Sequence, residues 1–393
     1  MCADARETDN GFQNFSAKRL ERKTIYRYNY FTKRPRTKIT RHKRVVVMEE
    51  QQHKRRKRYS GTHPRKFDEK YKELNPEKYQ AEVEKIKQKG KTPAGTHIPI
   101  MVNEILDILQ IQPGEIGFDA TLGYGGHSSK MLEKLEGRGH LHATDVDAIE
   151  REKTVQRLAD MGYGEDIFTL HRTNFCNIDK VCPPEKFDFL LADLGVSSMQ
   201  IDNPERGFTF KEDGPLDLRL DPTSGVTAAQ RLRQLNYAEI VGMLQENSDE
   251  PYAEQIAKAI MHAYKVKQPI ETTKQLAKVV EDALSFLPAS TRKDEVKKSC
   301  QRTFQALRID VNSEFEVLYE FLEKLPDCMN SGGRIAILTF HSGEDRLVKK
   351  AFKQGLKDGV YSSIATDVIR PSREECFQNS RAHSTKLRWA VKA

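Results

Sequence analysis

Phe118-Asp119-Ala120-Thr121-Leu122-Gly123-Tyr124-Gly125-Gly126-His127-Ser128 is an apolar run ending in a carboxylate, then a glycine cluster, then the start of an amphipathic helical pattern. That order predicts a strand, a tight turn and a helix, the opening unit of a nucleotide-binding α/β domain. The glycines tolerate positive φ and let the backbone approach a ligand with no Cβ in the way. The helix starting near His127 points its free N–H groups at that ligand. Nineteen residues after Gly126 stands Asp145, closing the run Gly139-His140-Leu141-His142-Ala143-Thr144. An acid at the end of the second strand is where such folds bind ribose hydroxyls. Together these elements imply an adenosine-bearing cofactor.

The loop does not fit the dinucleotide pattern G-x-G-x-x-G, and it lacks the Lys-Ser/Thr of a phosphate-binding loop. Asp119, just before the glycines, would repel a pyrophosphate but suits a cofactor with a cationic amino-acid head, as in S-adenosylmethionine. A second buried-strand run, Phe187 to Asp193, also ends in an acid and leads into Leu194-Gly195-Val196-Ser197-Ser198-Met199-Gln200. Ligands sit outside the carboxyl ends of such strands, so Asp193 is expected to face the same crevice as Asp119 and Asp145. Asp202 to Phe210 and Asp213 to Arg219 then form a Pro/Gly/Asp/Arg-rich loop without periodicity, for which a functional lid is the expectation.

These segments resemble the bacterial small-subunit rRNA cytosine-N4 methyltransferases, the RsmH or MraW family. Further matching strings are His97-Ile98-Pro99-Ile100-Met101, Arg302 to Ile309, Thr339 to Arg346 and Asn379 to Arg388, so the resemblance covers roughly residues 95–393. The chain departs from the family pattern at Tyr124, where Gly is usual, at Gly343, where Leu is frequent, and at Lys298-Ser299, where a His-Pro pair is common. It resembles a divergent subgroup. The resemblance implies a Rossmann-like class I methyltransferase sheet with an inserted helical substrate domain. It also implies S-adenosyl-L-methionine as cofactor and 16S rRNA within the small ribosomal subunit as partner. The implied target is the N4 amine of the decoding-centre cytidine conventionally numbered 1402. The implied cofactor contacts are Gly125, Gly126, His127, Asp145, Phe175, Asp193 and Gln200.

With 37% hydrophobic and 31% charged residues, the 393-residue chain has the composition of a soluble protein with a real core. No run approaches a membrane span, and the N-terminus lacks the apolar region of a secretory signal. Six scattered cysteines form no C-x-x-C pair or zinc spacing, which predicts reduced thiols, no structural metal and a cytoplasmic location. Residues 1–66 hold twenty Lys/Arg against six acids, and the remainder is net acidic. A basic arm is the electrostatic footprint of a nucleic-acid binder, although a solvated tail has the same composition. Met48 reads as an alternative start, which would make residues 1–47 upstream sequence. Residues 1–94 are expected to be a largely disordered basic extension with a helical stretch at about 67–89 and a linker at Pro93-Ala94-Gly95.

Strand-like runs near 116–121, 139–144, 167–171, 187–193 and 333–340 alternate with helical patterns, predicting a mostly parallel doubly wound sheet. The methyltransferase domain is read as residues 95–222 and 305–393, interrupted by a helical substrate-recognition insert at 223–304. Apolar spacing within the insert predicts helices over 228–235, 237–246, 254–264 and 273–286. At helical spacing Arg302, Gln305 and Arg308 are candidates for phosphate contacts, with surface salt bridges the plainer use.

The exocyclic amine of cytosine is a weak nucleophile, because its lone pair is delocalised into the ring. An enzyme that methylates it must align nitrogen, methyl and sulfur and accept hydrogen bonds from the amine. Asp193 is the candidate for that work, with Ser197 and Ser198 orienting the base. Asp119 would hold the amino-acid head, Asp145 the ribose, and Phe175 would cover the adenine. Arg206, Arg219 and His341 complete the candidate substrate contacts. A rival of another class is a non-catalytic AdoMet-binding ribosome-assembly factor. A homodimer is compatible with the sequence, which does not fix the oligomeric state.

Overall fold

The computed structural model describes residues 99–393; the basic extension, the helical stretch expected at 67–89 and the linker lie outside the described residues. Five strands stand where apolar runs predict them: β1 (Ile116–Asp119), β2 (His140–Thr144), β3 (Phe168–His171), β4 (Phe187–Asp193) and β5 (Met329–Thr339). The shorter β6 (Tyr361–Ile364) and the C-terminal β7 (Lys386–Lys392) complete one seven-stranded sheet in the order β3-β2-β1-β4-β5-β7-β6. The first five strands are parallel, and β7 runs antiparallel between β5 and β6. This is the doubly wound, Rossmann-like sheet that the sequence predicts. Strand order reverses between β1 and β4, which opens a crevice at their carboxyl ends.

Phe187, Phe189, Leu190 and Leu191 are fully buried, as expected of a parallel strand covered on both faces. The one polar interruption, Asp188, is used: its carboxylate accepts from Ile116 N at 2.9 Å and from Asn330 Nδ2 at 2.8 Å. Helices α1 (Val102–Leu109), α2 (Gly126–Leu135), α3 (Glu150–Asp160), α4 (Ile178–Val181) and α5 (Ser198–Asp202) connect and flank the first four strands.

Between β4 and β5 come α6 (Ala228–Gln234), α7 (Tyr237–Ser248), α8 (Ala253–Lys265), α9 (Thr273–Ala283), α10 (Ala289–Asn312) and α11 (Glu314–Lys324). The first three of the insert's short helices and α9 gather a separate core of Leu232, Ile240, Leu244, Ile256, Ile260, Leu276 and Val280, which α10 joins through Phe304 and Leu307. Capping boxes open α6, α7 and α9 at Thr227/Gln230, Asn236/Glu239 and Thr272/Gln275, so each start is fixed locally. The 24-residue α10 runs straight through the boundary expected between residues 304 and 305. Phe304 and Leu307 belong to the insert core, whereas Arg308 and Asn312 reach the crevice. No linker separates insert from sheet at that point. The chain ends with α12 (Ser342–Lys357) and α13 (Arg373–Gln378) around β6 and β7.

The loop expected to act as a lid is instead built into the insert. Leu216 and Leu218 are each 1% exposed within its core. Leu216 N donates to Glu271 O at 2.8 Å, Asn312 Nδ2 to Leu218 O at 2.8 Å, and Leu220 N to Asn312 Oδ1 at 2.8 Å. Two leucines set among Asp, Pro and Gly are too few to leave a periodic signal, which is why the sequence reads as uncommitted loop. Among the described residues no helix is long and apolar enough to cross a membrane.

Candidate functional site

A cavity of about 410 Å³ lies at the carboxyl ends of β1, β2 and β4, a size suited to a small-molecule ligand. Gly126, His127, Asp145, Phe175, Asp193, Ser197, Ser198, Gln200 and Arg308 line it. Asp119 and Gly125 do not reach its wall. Gly125 caps α2 at φ 72°, and a Cβ there would lie 2.9 Å from Thr154 Cγ2. A Cβ on Gly126 would lie 2.6 Å from Pro99 Cγ, so the second glycine lets the Pro99 segment close over the start of α2.

Asp119 is 1% exposed, with Oδ1 accepting from Thr121 N at 3.0 Å and Oδ2 from Ser128 Oγ at 2.5 Å. Its place is beneath the glycine loop, tying β1 to the first turn of α2. This corrects the expectation that it grips a ligand head directly. Burial raises its pKa, against the bonds from Ser128 and Thr121. Asp145 does reach the cavity. Its Oδ2 accepts from Gly123 N and its Oδ1 from Asp147 N, each at 2.7 Å. Burial nevertheless pushes its pKa up to about 6.

Asp193 is set by its own backbone, whose N–H donates to Thr121 Oγ1 at 2.7 Å. Its Oδ2 lies 3.4 Å from His127 Nδ1, and its Oδ1 is buried with no hydrogen-bond partner. Burial pushes its pKa up to about 6, with His127 opposing and Asp119 and Glu344 adding to the rise. His127 Nε2 meets Ile100 O at 3.0 Å. A carbonyl only accepts, so the proton sits on Nε2 and the Nδ1 of a neutral ring is left as an acceptor facing a carboxylate. The Nδ1 of His127 and Oδ2 of Asp193 therefore face one another as two acceptors.

Phe175 lies at the cavity wall, its ring edge-on to Phe321 of α11 at 5.1 Å. Tyr124 also lines the cavity, with the Arg157 guanidinium 5.0 Å from its ring centre. Ser197 caps α5: its Oγ accepts from Gln200 N at 3.2 Å, and Gln200 Oε1 accepts from Ser197 N at 2.8 Å. Gln200 Nε2 donates to Asp147 Oδ2 at 2.7 Å. The Gln200 side chain thus shapes the wall while its polar atoms hold α5 to the turn before α3.

The remaining candidate substrate residues are occupied elsewhere. Arg206, 7% exposed, donates from Nη1 to Asp147 Oδ2 at 2.7 Å and from Nη2 to Leu220 O at 2.9 Å. Arg219 grips Asp217 with two bonds of 2.7 Å. Arg302 is paired at 2.6 Å with Glu250, a buried carboxylate that also accepts from Ser299 Oγ, and Gln305 Nε2 donates to Asn247 O at 3.3 Å. His341 caps α12 beside Glu344. These five side chains are corrected from substrate contacts to internal fastenings, because each is engaged by a protein neighbour, four of them as the insert packs and His341 by Glu344 of its own helix. Arg308 alone of that set faces the cavity, and even there it pairs with Glu314 through two bonds of 2.7 Å.

Structure adds residues that sequence reading leaves out. Asp147 is the buried hub for Gln200 and Arg206, two positions past Asp145 and legible only as the second acid of an Asp-x-Asp string. Glu314, Glu344 and Arg381 line the cavity from α11, α12 and the segment before β7; Arg381 falls within the string Asn379 to Arg388 quoted above. Glu314, His341 and Glu344 place one ligand atom each within 4.8 Å. Arg308 already engages both Glu314 oxygens, so this group carries no metal assignment.

The model of the MraW methylase family matches residues 94–393. The chain is 64% identical over 348 residues to Ribosomal RNA small subunit methyltransferase H 1 of Agathobacter rectalis, covering 88% of this chain and all of that protein. It is 60% identical over 342 residues to the protein of the same name from Lachnoclostridium phytofermentans, covering 87% and 93%. Among solved structures, an rRNA methylase from Streptococcus thermophilus aligns with a TM-score of 0.34 and 14% identity, over 74% of this chain and 93% of its own.

Proposed function

The chain belongs to the MraW methylase family, and from that premise we propose that it methylates ribosomal RNA of the small subunit using S-adenosylmethionine. Its target in this reading is the N4 amine of a decoding-centre cytidine in 16S rRNA. The observation that carries the proposal is Asp193 Oδ1, a buried acceptor without a hydrogen-bond partner at the carboxyl end of β4. An amine N–H is the group it lacks.

The cavity residues fit the donor. Burial raises the pKa of Asp119, Asp145 and Asp193 alike, and neighbouring acids add to the rise at Asp145 and Asp193, so these carboxylates are short of compensating positive charge. A ligand carrying both a sulfonium and an ammonium relieves that cost. Asp145 keeps lone pairs for ribose hydroxyls, the start of α2 offers N–H groups, and Phe175 offers an aromatic face. When bound, S-adenosylmethionine supplies an electrophilic methyl group and leaves as a neutral thioether.

Asp193 accepts a hydrogen bond from the attacking amine, which draws electron density onto nitrogen and fixes its direction. The bond formed is N–C and the bond broken is C–S. The nitrogen then sheds one proton, and Asp193 with His127 Nδ1 is the acceptor pair beside it. A base in folded rRNA must leave its stack to reach this depth.

The test is transfer of labelled methyl from S-adenosylmethionine to small subunits lacking the modification, read by nucleoside mass spectrometry and site mapping. N4-methylcytidine in the decoding centre is the expected product. Label on another base would discard the target, and cofactor binding without any transfer would discard the activity.

A further inference from the structure

We propose that the exposed face of α12 is a docking surface for the RNA phosphodiester backbone, leading from the cavity wall. This deepens the reading above by assigning where its substrate is held. The inference starts from a deficit. The arginines with which motif reading supplies phosphate contacts are consumed internally, through Asp147, Asp217, Glu250 and Glu314. Cations that remain available must lie elsewhere.

Helix α12 supplies them. Its inner face buries Leu347, Val348 and Phe352. On the outer face Arg346, Lys349, Lys350, Lys353 and Lys357 line a shallow groove together with Gln354. Their spacing of three and four residues makes a single stripe about 17 Å long, at 1.5 Å per residue. Arg346 meets Asp249 at 3.3 Å, a half-exposed pair. The four lysines form no ion pair among the described residues. The helix's own acids are unavailable: Glu344 is buried against His341, and Asp345 holds Lys386 and Arg388.

Like charges three and four apart repel, so this arrangement does not serve helix stability. The helix dipole favours cations only over the last turn. Position gives the stripe its meaning. Phe340, just before α12, and Glu344, in its first turn, form part of the cavity wall, and Arg346 begins the stripe two residues on, around the helix on the outer face. Flexible ammonium groups suit a sequence-independent hold on phosphates, which positions a strand without reading its bases. An acidic protein surface is the competing partner and is separated by the test.

The test uses the full-length protein carrying Lys349→Gln, Lys350→Gln, Lys353→Gln and Lys357→Gln together, and a second variant with the same four lysines changed to Arg. Binding to a small-subunit rRNA fragment is measured as a function of salt, apart from methylation. At about 0.7 counterions per phosphate on single strands, the Gln variant should lose up to about 3 from the slope of log K against log salt. Its KM for the RNA substrate should rise about tenfold or more at physiological salt. Its kcat should stay within about twofold, S-adenosylmethionine affinity should not move, and the Arg variant should behave as wild type. An unchanged affinity and slope overturns the proposal. So does a variant that binds rRNA normally but loses its salt-dependent hold on ribosomal proteins. If wild type binds rRNA through the stripe yet transfers no methyl, the functional reading fails and the docking surface stands.

Discussion

Asp193 has an ordinary carboxylate pKa when the chain is unfolded and one of about 6 when folded, so its proton links chemistry to stability. The native state binds the extra proton between about pH 4 and 6, and stability attributable to this group falls as pH rises through that window. Turnover runs the other way, because only the carboxylate accepts from an amine. Methylation measured as kcat/KM for the cofactor, which reports the ligand-free protein, should therefore decline as pH falls through about 6. Asp193→Asn should abolish turnover yet stabilise the ligand-free protein by about 2–3 kcal/mol at pH 7.5, a gain that vanishes below about pH 4. Denaturant titrations of the two proteins at several pH values measure the difference. That comparison is needed because His142, whose pKa burial lowers to about 4, acts in the opposite sense. A constant difference across pH would remove the argument. Arg206 gives a purely structural contrast. Arg206→Ala leaves the buried Asp147 charge unpaired, and a loss of about 3–5 kcal/mol is expected by chemical denaturation.

At the scale of elements, α10 and the loop before α6 act as one piece. Asn312 makes three bonds: its amide donates to Leu218 O and Arg308 O, and its carbonyl accepts from Leu220 N, each at 2.8 Å. Asn312→Ala should cost about 1–3 kcal/mol by leaving buried backbone groups unpaired. It should also loosen the cavity wall at Leu220, read as accelerated hydrogen exchange confined to residues 215–220. Exchange spread evenly over the insert would show that the fastening is not local. The helices of the insert were legible because each carries an apolar stripe and, for three of them, a capping pair. The loop's anchorage was not legible, because the partners of Leu216 and Leu218 come from helices far along the chain.

For the whole molecule, two acids whose pKa burial raises, Asp145 and Asp193, face a cavity proposed to take a cation, and a third, Asp119, lies beneath its glycine loop. Binding a cation lowers those values, so near pH 6 S-adenosylmethionine should displace protons from the site. Calorimetry in two buffers of different ionisation enthalpy counts them. S-adenosylhomocysteine lacks the sulfonium and should release fewer, and the difference should fade above about pH 8, where the carboxylates are already charged. Equal release by both ligands at pH 6 would contradict the electrostatic account. Charge is also segregated along the chain, with residues 1–66 strongly basic and the rest net acidic. Within the described residues, the stripe on α12 is a local exception to that acidity.

The sequence by itself determined the parallel strands, the acids at their ends and the glycine turn, because each is encoded in a contiguous run whose periodicity or backbone demand is local. It carried the family as well, through long strings of unusual composition. What only the tertiary structure decided was the employment of those residues. A motif states that Arg206 and Arg302 are present but not that Asp147 and Glu250 lie within reach of them, since each such pairing depends on how distant elements pack. The same holds for Asp119 and Asp193, two acids at equivalent strand ends. One is satisfied by Ser128 and Thr121, and the other keeps an oxygen bare. Hydrogen-bond satisfaction is a three-dimensional property, and here it distinguishes two acids that the sequence presents as equivalent.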